Sequence, residues 1–277
     1  MPDLRSTLTN YQAEGKSLPA FNIDTFEIYQ AVEEAVRSTG LPCIVQLSPG
    51  EDKFIQAERL MLLAKKARLE GLPIYLNMDH GKDLARLEKL VRLGFDMVHF
   101  DGSPLDYSTN QAMSQLFISR IHQINPLALV EAEFNQIQPV SQNSNLLLTD
   151  PIQAKEFVSR TGADLLAVSV GNRHGVPTAG SESINLPLLS EIRQCLPTTL
   201  LTLHGGSGID SAQISQAVKS GIVKININTD LRLKFKHSLA NALSAYSSEK
   251  IYDYFQPVVA DLKQLIITKL LFFSSSY

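Results

Sequence analysis

The sequence predicts a closed (β/α)8 TIM barrel with an additional C-terminal helix. Three observations predict it: eight short apolar runs, eight helical stretches alternating with them, and polar residues placed just after the runs. Runs that read as continuously apolar belong to parallel strands covered by helices on their outer face. Eight such pairs in about 250 residues fit a closed barrel. An open doubly wound sheet is the competitor, but its glycine-rich nucleotide turn is missing after the first run, where the chain reads PAFNIDTFE.

In order, the first run is Pro19–Ile23, followed by the helical stretch Phe26–Thr39; the second is Pro42–Leu47, followed by Gln56–Leu69. Pro73–Met78 leads to Lys82–Leu93, and Phe95–Phe100 to Asn110–Ile124. Leu127–Ala132 leads to Pro151–Thr161, and Asp164–Val170 to Leu186–Cys195. Thr199–Leu203 precedes Ser211–Lys219, and Ile222–Ile225 precedes Thr229–Ala245, with the extra helix near Gln256–Leu270. In each helical stretch the apolar residues recur three and four apart, which makes one buried face.

At 277 residues the chain reads as one domain, 1–277, large enough to bury a core without disulfides. With 44% hydrophobic and 19% charged residues it is ordinary globular protein, and a net charge of −3 offers no basic footprint for nucleic acid or an anionic membrane. Two cysteines, Cys43 and Cys195, suggest no disulfide framework, and the first twenty residues lack the apolar core of a signal peptide. The tail LIITKLLFF is too short to span a bilayer and is interrupted by a lysine. The expected location is cytoplasmic.

In barrels of this kind the working residues stand at the C-terminal strand ends. Those ends carry Asn22 and Asp24, Ser48, Asp79 and His80, Asp101, Glu133, His174, His204 and Asn226. His80, His174 and His204, from the third, sixth and seventh strands, are half of the six histidines. Three neutral imidazoles with a fourth position open make a catalytic zinc site. His99, His122 and His237 fall inside elements and read as structural. The turn His204-Gly205-Gly206-Ser207-Gly208 and the segment Asn226-Ile227-Asn228-Thr229 follow strands seven and eight, the usual phosphate seat of the fold. Asp79, beside His80, suits either proton transfer at a metal-polarised oxygen or orientation of an imidazole.

These residues resemble the class II, metal-dependent ketose-bisphosphate aldolases, which include fructose- and tagatose-bisphosphate aldolases. The likeness runs from about Pro19 to about Leu265, on PAFNIDTFE, VQLSPG, MDHG, FDGS, VEAEF, DLLAVSVGNRHG, LHGGSGI and VKININTD. It implies reversible cleavage of a ketose (bis)phosphate such as fructose 1,6-bisphosphate to dihydroxyacetone phosphate and an aldehyde, glyceraldehyde 3-phosphate in that case. A metal-stabilised enediolate would be the intermediate. It implies Zn2+ on His80, His174 and His204, with Glu133 as a ligand in an alternate position and room for a monovalent cation. Asp79 and Asn226 become the catalytic residues. Gly175, Gly205, Gly206, Ser207, Asn226, Ile227, Asn228 and Thr229 would hold the first phosphate and Ser48 the far one. A homodimer or homotetramer is implied.

Four departures stand against the family pattern. Its usual histidine two residues before the aspartate is Asn77 here, and the loop FNQIQPVSQNSNLLLT lacks the glycine pair and acidic pair that help protonate the enediolate carbon. Val176-Pro177 replaces an aromatic residue, and Lys250-Ile251-Tyr252 replaces the Asp-Pro-Arg whose arginine grips the distal phosphate. An altered or inactive relative, binding metal and sugar phosphate as a regulatory or structural subunit, is the alternative expectation. A metal hydrolase is a third, disfavoured because strand one reads Phe21-Asn22-Ile23 where such sites often place His-x-His.

Overall fold

A computed structural model describes residues 2–139, 147–175 and 183–275. Val176, Pro177 and part of the loop after the fifth strand lie outside them. The chain opens with α1 (Leu4–Ala13), then β1 (Leu18–Asn22), α2 (Phe26–Thr39), β2 (Cys43–Leu47), α3 (Pro49–Ile55), α4 (Ala57–Leu69) and β3 (Ile74–Gly81). It continues through α5 (Leu84–Leu93), β4 (Met97–Asp101), α6 (Tyr107–Ile124), β5 (Leu129–Glu133), α7 (Pro151–Thr161) and β6 (Leu165–Ala167). The last elements are α8 (Leu186–Cys195), β7 (Leu200–Leu203), α9 (Ser211–Lys219), β8 (Ile222–Ile227), α10 (Thr229–Ala245) and α11 (Ile251–Ser274). The eight strands pair in chain order, all parallel, and β8 closes onto β1.

Local chemistry starts and stops the helices. Side-chain oxygens of Thr25, Asp83, Asp106, Asp150, Asn185 and Asp210 accept from first-turn N–H groups of α2, α5, α6, α7, α8 and α9. Gly40, Gly94 and Gly162 end α2, α5 and α7 in the left-handed conformation. Two helices were not foreseen. α1 precedes the first predicted strand, and α3 separates from α4 at Gln56, whose φ of 68 breaks the helix. β6 is shorter than its apolar run, and α11 is longer than expected.

Alternation along the strands stacks the barrel interior in layers. At the bottom, Leu18, Ala20, Ile44, Tyr75, Met97, Leu129, Leu165, Leu200 and Val223 form an apolar cluster that Leu4 and Leu8 of α1 close from below. Two residues on, the inward positions are Asn22, Gln46, Asn77, His99, Glu131 and Thr202, all buried. β8 joins this layer through a register irregularity against β7: Leu201 faces Ile222 but Thr202 faces Lys224, so Lys224 follows Val223 into the interior. The larger apolar core lies between the strands and the helical ring. Among the described residues no helix is long and apolar enough to cross a membrane.

Leu8 is fully buried, so Leu8→Ala leaves a cavity under the barrel and is expected to cost about 2–5 kcal/mol in denaturant unfolding. Leu62→Ala, at a side 69% exposed, should change stability by no more than about 0.5 kcal/mol. Equal losses for the two would contradict the role given to α1.

Candidate metal and phosphate site

The C-terminal ends of β3, β4, β5 and β7 gather the titratable groups of the mouth. Regular alternation would send Asp79 and His80 to opposite faces. Instead His80 takes φ 51, a left-handed conformation uncommon outside glycine, and the β3–β4 register slips between Met78 and Gly81. Both side chains therefore reach the mouth. The backbone N–H of His80 donates to Nδ1 of His99 at 3.0 Å, which holds the distortion from the neighbouring strand.

Four donor groups, from Asp79, His80, His99 and His204, lie within 4.8 Å of one another, and His80, Asp101 and Glu133 form a second set. His80 Nε2 and His204 Nδ1 stand 3.0 Å apart. The His174 ring lies beside both, with centroids 5.1 Å from His80 and 5.7 Å from His204. Its Nε2 is buried without a partner, and His174 belongs to neither of the two close donor sets. The arrangement suits a divalent cation: nitrogens on one tetrahedral zinc sit about 3.3 Å apart. Without a cation, a protonated His80 can donate from Nε2 to His204 Nδ1 across the same gap.

Behind the imidazoles lies a buried carboxylate. Glu131 Oε1 faces His204 Nε2 at 2.6 Å, while Oε2 accepts from Lys224 Nζ and Thr202 Oγ1, each at 3.0 Å. Burial opposes the charge on Glu131, but Lys224, His99 and His204 outweigh it and hold the carboxyl far below its ordinary range. With Nε2–H committed to Glu131, the lone pair of His204 stands on Nδ1, toward His80. Burial and the neighbouring imidazoles bring His174 down to about 3, and burial brings His204 down to about 4, so both are neutral at pH 7. Burial opposes protonation of His80 too, but Asp79, Asp101 and Glu133 raise it to about 9. Asp79, though buried, stays well below the carboxylate range because His80, His99, His204 and Lys224 surround it. Its Oδ1 accepts from Asn226 Nδ2 at 3.1 Å and its Oδ2 from Gln46 Nε2 at 3.2 Å.

His99, read as structural from the sequence, also faces the candidate site. It is fully buried, its Nδ1 lies 3.5 Å from Asp79, and its Nε2 lies 3.6 Å from Glu133 Oε2; neither Nε2 nor that oxygen has a hydrogen-bond partner. Burial pushes the Glu133 carboxyl up to about 7. The signal available in sequence was its place two residues before Asp101, on the same strand face; Glu131 stands likewise two residues before Glu133. By contrast, His122 pairs with Asp164 and His237 is exposed on α10.

Beside the imidazoles opens a cavity of about 340 Å³, lined by Asn22, Ser48, Asp79, His80, His174, Gly175, Gly205, Ser207, Asn226, Asn228, Thr229 and Arg232. Most of the residues expected to bind substrate are thus brought together; Gly206 and Ile227 stand behind them. Gly205 has φ 65, and a Cβ there would meet the Arg173 carbonyl oxygen at 2.0 Å, so only glycine passes between these loops. α10 begins at this cavity with no side-chain cap from Asn228; Leu231 N and Arg232 N both turn back to the Asn228 carbonyl, at 3.0 and 3.1 Å, while the positive end of the helix faces the cavity. Asp230 N donates to Ser207 Oγ at 3.3 Å and ties the two phosphate-side loops together. Arg232, one turn into α10, was not foreseen. A larger hollow of about 790 Å³ between α2 and α11 has no histidine in its lining.

Comparison with known proteins agrees with this geometry. The structure superposes on the YdjI aldolase of Escherichia coli K12 with a TM-score of 0.86 and 25% identity, covering 100% of this chain and 98% of that one. A putative fructose-1,6-bisphosphate aldolase from Coccidioides immitis gives 0.87 at 21% identity, covering 99% and 96%. The fructose-bisphosphate aldolase of Campylobacter jejuni gives 0.77 at 22%, covering 96% and 91%; these last two likenesses establish the fold alone. The model of the class II fructose-bisphosphate aldolases matches residues 3–276, nearly the whole chain, and so the chain belongs to that family.

Proposed function

We propose that the protein is a zinc-dependent aldolase that reversibly cleaves a ketose phosphate into dihydroxyacetone phosphate and an aldehyde. The observation that carries this is the convergence of His80, His174 and His204 beside an ionised Asp79 and a cavity that the start of α10 helps to line. Zn2+ is proposed on the three imidazoles, with Glu133 facing an alternate position. When bound, the cation supplies Lewis acidity, drawing charge from the ketone oxygen as the carbon–carbon bond breaks.

The chain's own residues do the rest. Asp79 takes the proton of the hydroxyl next to the scissile bond in cleavage and returns it in condensation. Asn226, held by Lys224 Nζ at its Oδ1 and donating to Asp79, fixes that carboxylate in line. Gly175, Gly205, Gly206, Ser207, Asn226, Ile227, Asn228 and Thr229 form the seat of the first phosphate, at the start of α10. Ser48 stands at the other end of the cavity. A homodimer or homotetramer in the cytoplasm goes with this family reading, and the exposed Ile251 and Tyr252 at the start of α11 are suited to a subunit contact.

The direct test is formation of dihydroxyacetone phosphate from a panel of ketose mono- and bisphosphates, followed with a coupled dehydrogenase. A chelator should abolish it and added zinc restore it; no turnover across the panel would end the proposal. Asp79→Asn should lower kcat by about 10²–10⁴-fold while zinc still binds. Because His80 holds a proton up to about pH 9 and the other two imidazoles do not, zinc binding at pH 7 should release about one proton from His80. Calorimetry in buffers of different ionisation enthalpy reads that count, and a value of zero would contradict the site.

A further inference from the structure

The wall of the cavity where α3 meets the start of α10 is built around Glu51. This residue is the third of α3, where it forms a capping box with Ser48: Ser48 N donates to Glu51 Oε2 at 2.6 Å and Glu51 N donates to Ser48 Oγ at 3.4 Å. A cap needs no more than that. Glu51 is nonetheless only 4% exposed, and three further donors converge on it from the cavity wall. Asn22 Nδ2 reaches Oε2 at 3.1 Å, Asn228 Nδ2 reaches Oε1 at 3.2 Å, and Arg232 Nη2 reaches Oε1 at 2.7 Å.

Among the described residues lining this cavity Arg232 is the one lysine or arginine, and its guanidinium is already engaged. Nε and Nη2 grip Asp24 at 2.6 and 2.9 Å, and Nη2 also meets Glu51. A guanidinium fork binds a phosphate through the same N–H groups. Here the three side chains together carry one net negative charge, so an incoming phosphate would have to displace a carboxylate and then sit beside two. The N–H of Ser48 and the amides of Asn22 and Asn228 are spent on Glu51 as well.

We infer that the substrate is a ketose 1-phosphate whose opposite end is an uncharged polyol, with Glu51 and Asp24 as the specificity-determining residues against a second phosphate. This rests on the aldolase reading above and narrows its substrate. Cleavage then breaks the C3–C4 bond, moves the C4 hydroxyl proton to the enzyme and a proton to C3, and releases dihydroxyacetone phosphate with an unphosphorylated hydroxyaldehyde. No oxidant or reductant takes part. Specificity arises here from carboxylates set against the wrong substrate as much as from contacts with the right one.

The test uses the zinc-loaded full chain in the condensation direction, with dihydroxyacetone phosphate saturating and either D-glyceraldehyde, D-erythrose or D-glyceraldehyde 3-phosphate as acceptor. The neutral aldehydes should exceed the phosphorylated one in kcat/KM by at least about tenfold. Glu51→Gln, which keeps an oxygen for the cap, and Asp24→Asn should each shift that ratio about tenfold toward glyceraldehyde 3-phosphate, through its KM. Preference of the wild-type protein for glyceraldehyde 3-phosphate, no condensation with any neutral aldehyde, or an unchanged ratio in both variants would overturn the inference. Solvent-deuterium exchange into dihydroxyacetone phosphate, measured without any aldehyde, separates the two levels. Exchange without neutral-acceptor preference defeats this inference alone; absence of both exchange and condensation defeats the aldolase reading with it.

Discussion

A single buried carboxylate organises the mouth of this barrel. Glu131 sits fully enclosed at mid-height and is kept ionised by Lys224, His99 and His204. Isolated in the interior, such a charge would be prohibitive; fully hydrogen-bonded and paired, it becomes a fixed point from which other groups are oriented. One of its oxygens sets the tautomer of His204. The other holds Lys224, whose ammonium also fixes Asn226, which in turn donates to Asp79. The candidate ligand set and the candidate base are thus aligned through one hydrogen-bonded chain.

That chain exists because two strands depart from regular geometry at chosen points. The irregularity in β8 lets Lys224 follow Val223 into the interior, and the positive φ of His80 lets it follow Asp79. A uniformly pleated barrel would have put one member of each pair outside, among the helices. His99 underwrites the second distortion by accepting the His80 amide. Below this level the interior is apolar and closed by α1, so the polar layer rests on a dry floor and opens in one direction only.

Charge is divided across the cavity. On the β7 and β8 side, the glycine-rich loop, Ser207 and the positive end of α10 face the cavity. On the β1 and β2 side, Asp24 and Glu51 present acceptors and hold Arg232 between them. Arg232 is held by two carboxylates, which alters what its charge can attract. The asymmetry gives the cavity a polarity that a bisphosphate, charged alike at both ends, does not match.

The fold was legible in the sequence, and so was which polar residues reach the mouth, because both follow from local rules. Apolar runs alternating with three-and-four spacing specify parallel strands under helices, and strand ends at the mouth expose Asp79, His80, His174, His204 and Asn226 without reference to anything distant. The family pattern added Glu133 and the phosphate loops. What the sequence could not express was which interior side chains meet across the barrel. His99, Glu131 and Lys224 belong to three strands and read individually as buried oddities; only closure of the sheet brings them within hydrogen-bonding distance. Likewise Glu51 and Arg232 stand 181 positions apart, and their pairing depends on β8 closing against β1. Periodicity along a chain encodes which face a side chain takes, whereas partnership between faces is set by strand register and by the two places where that register slips.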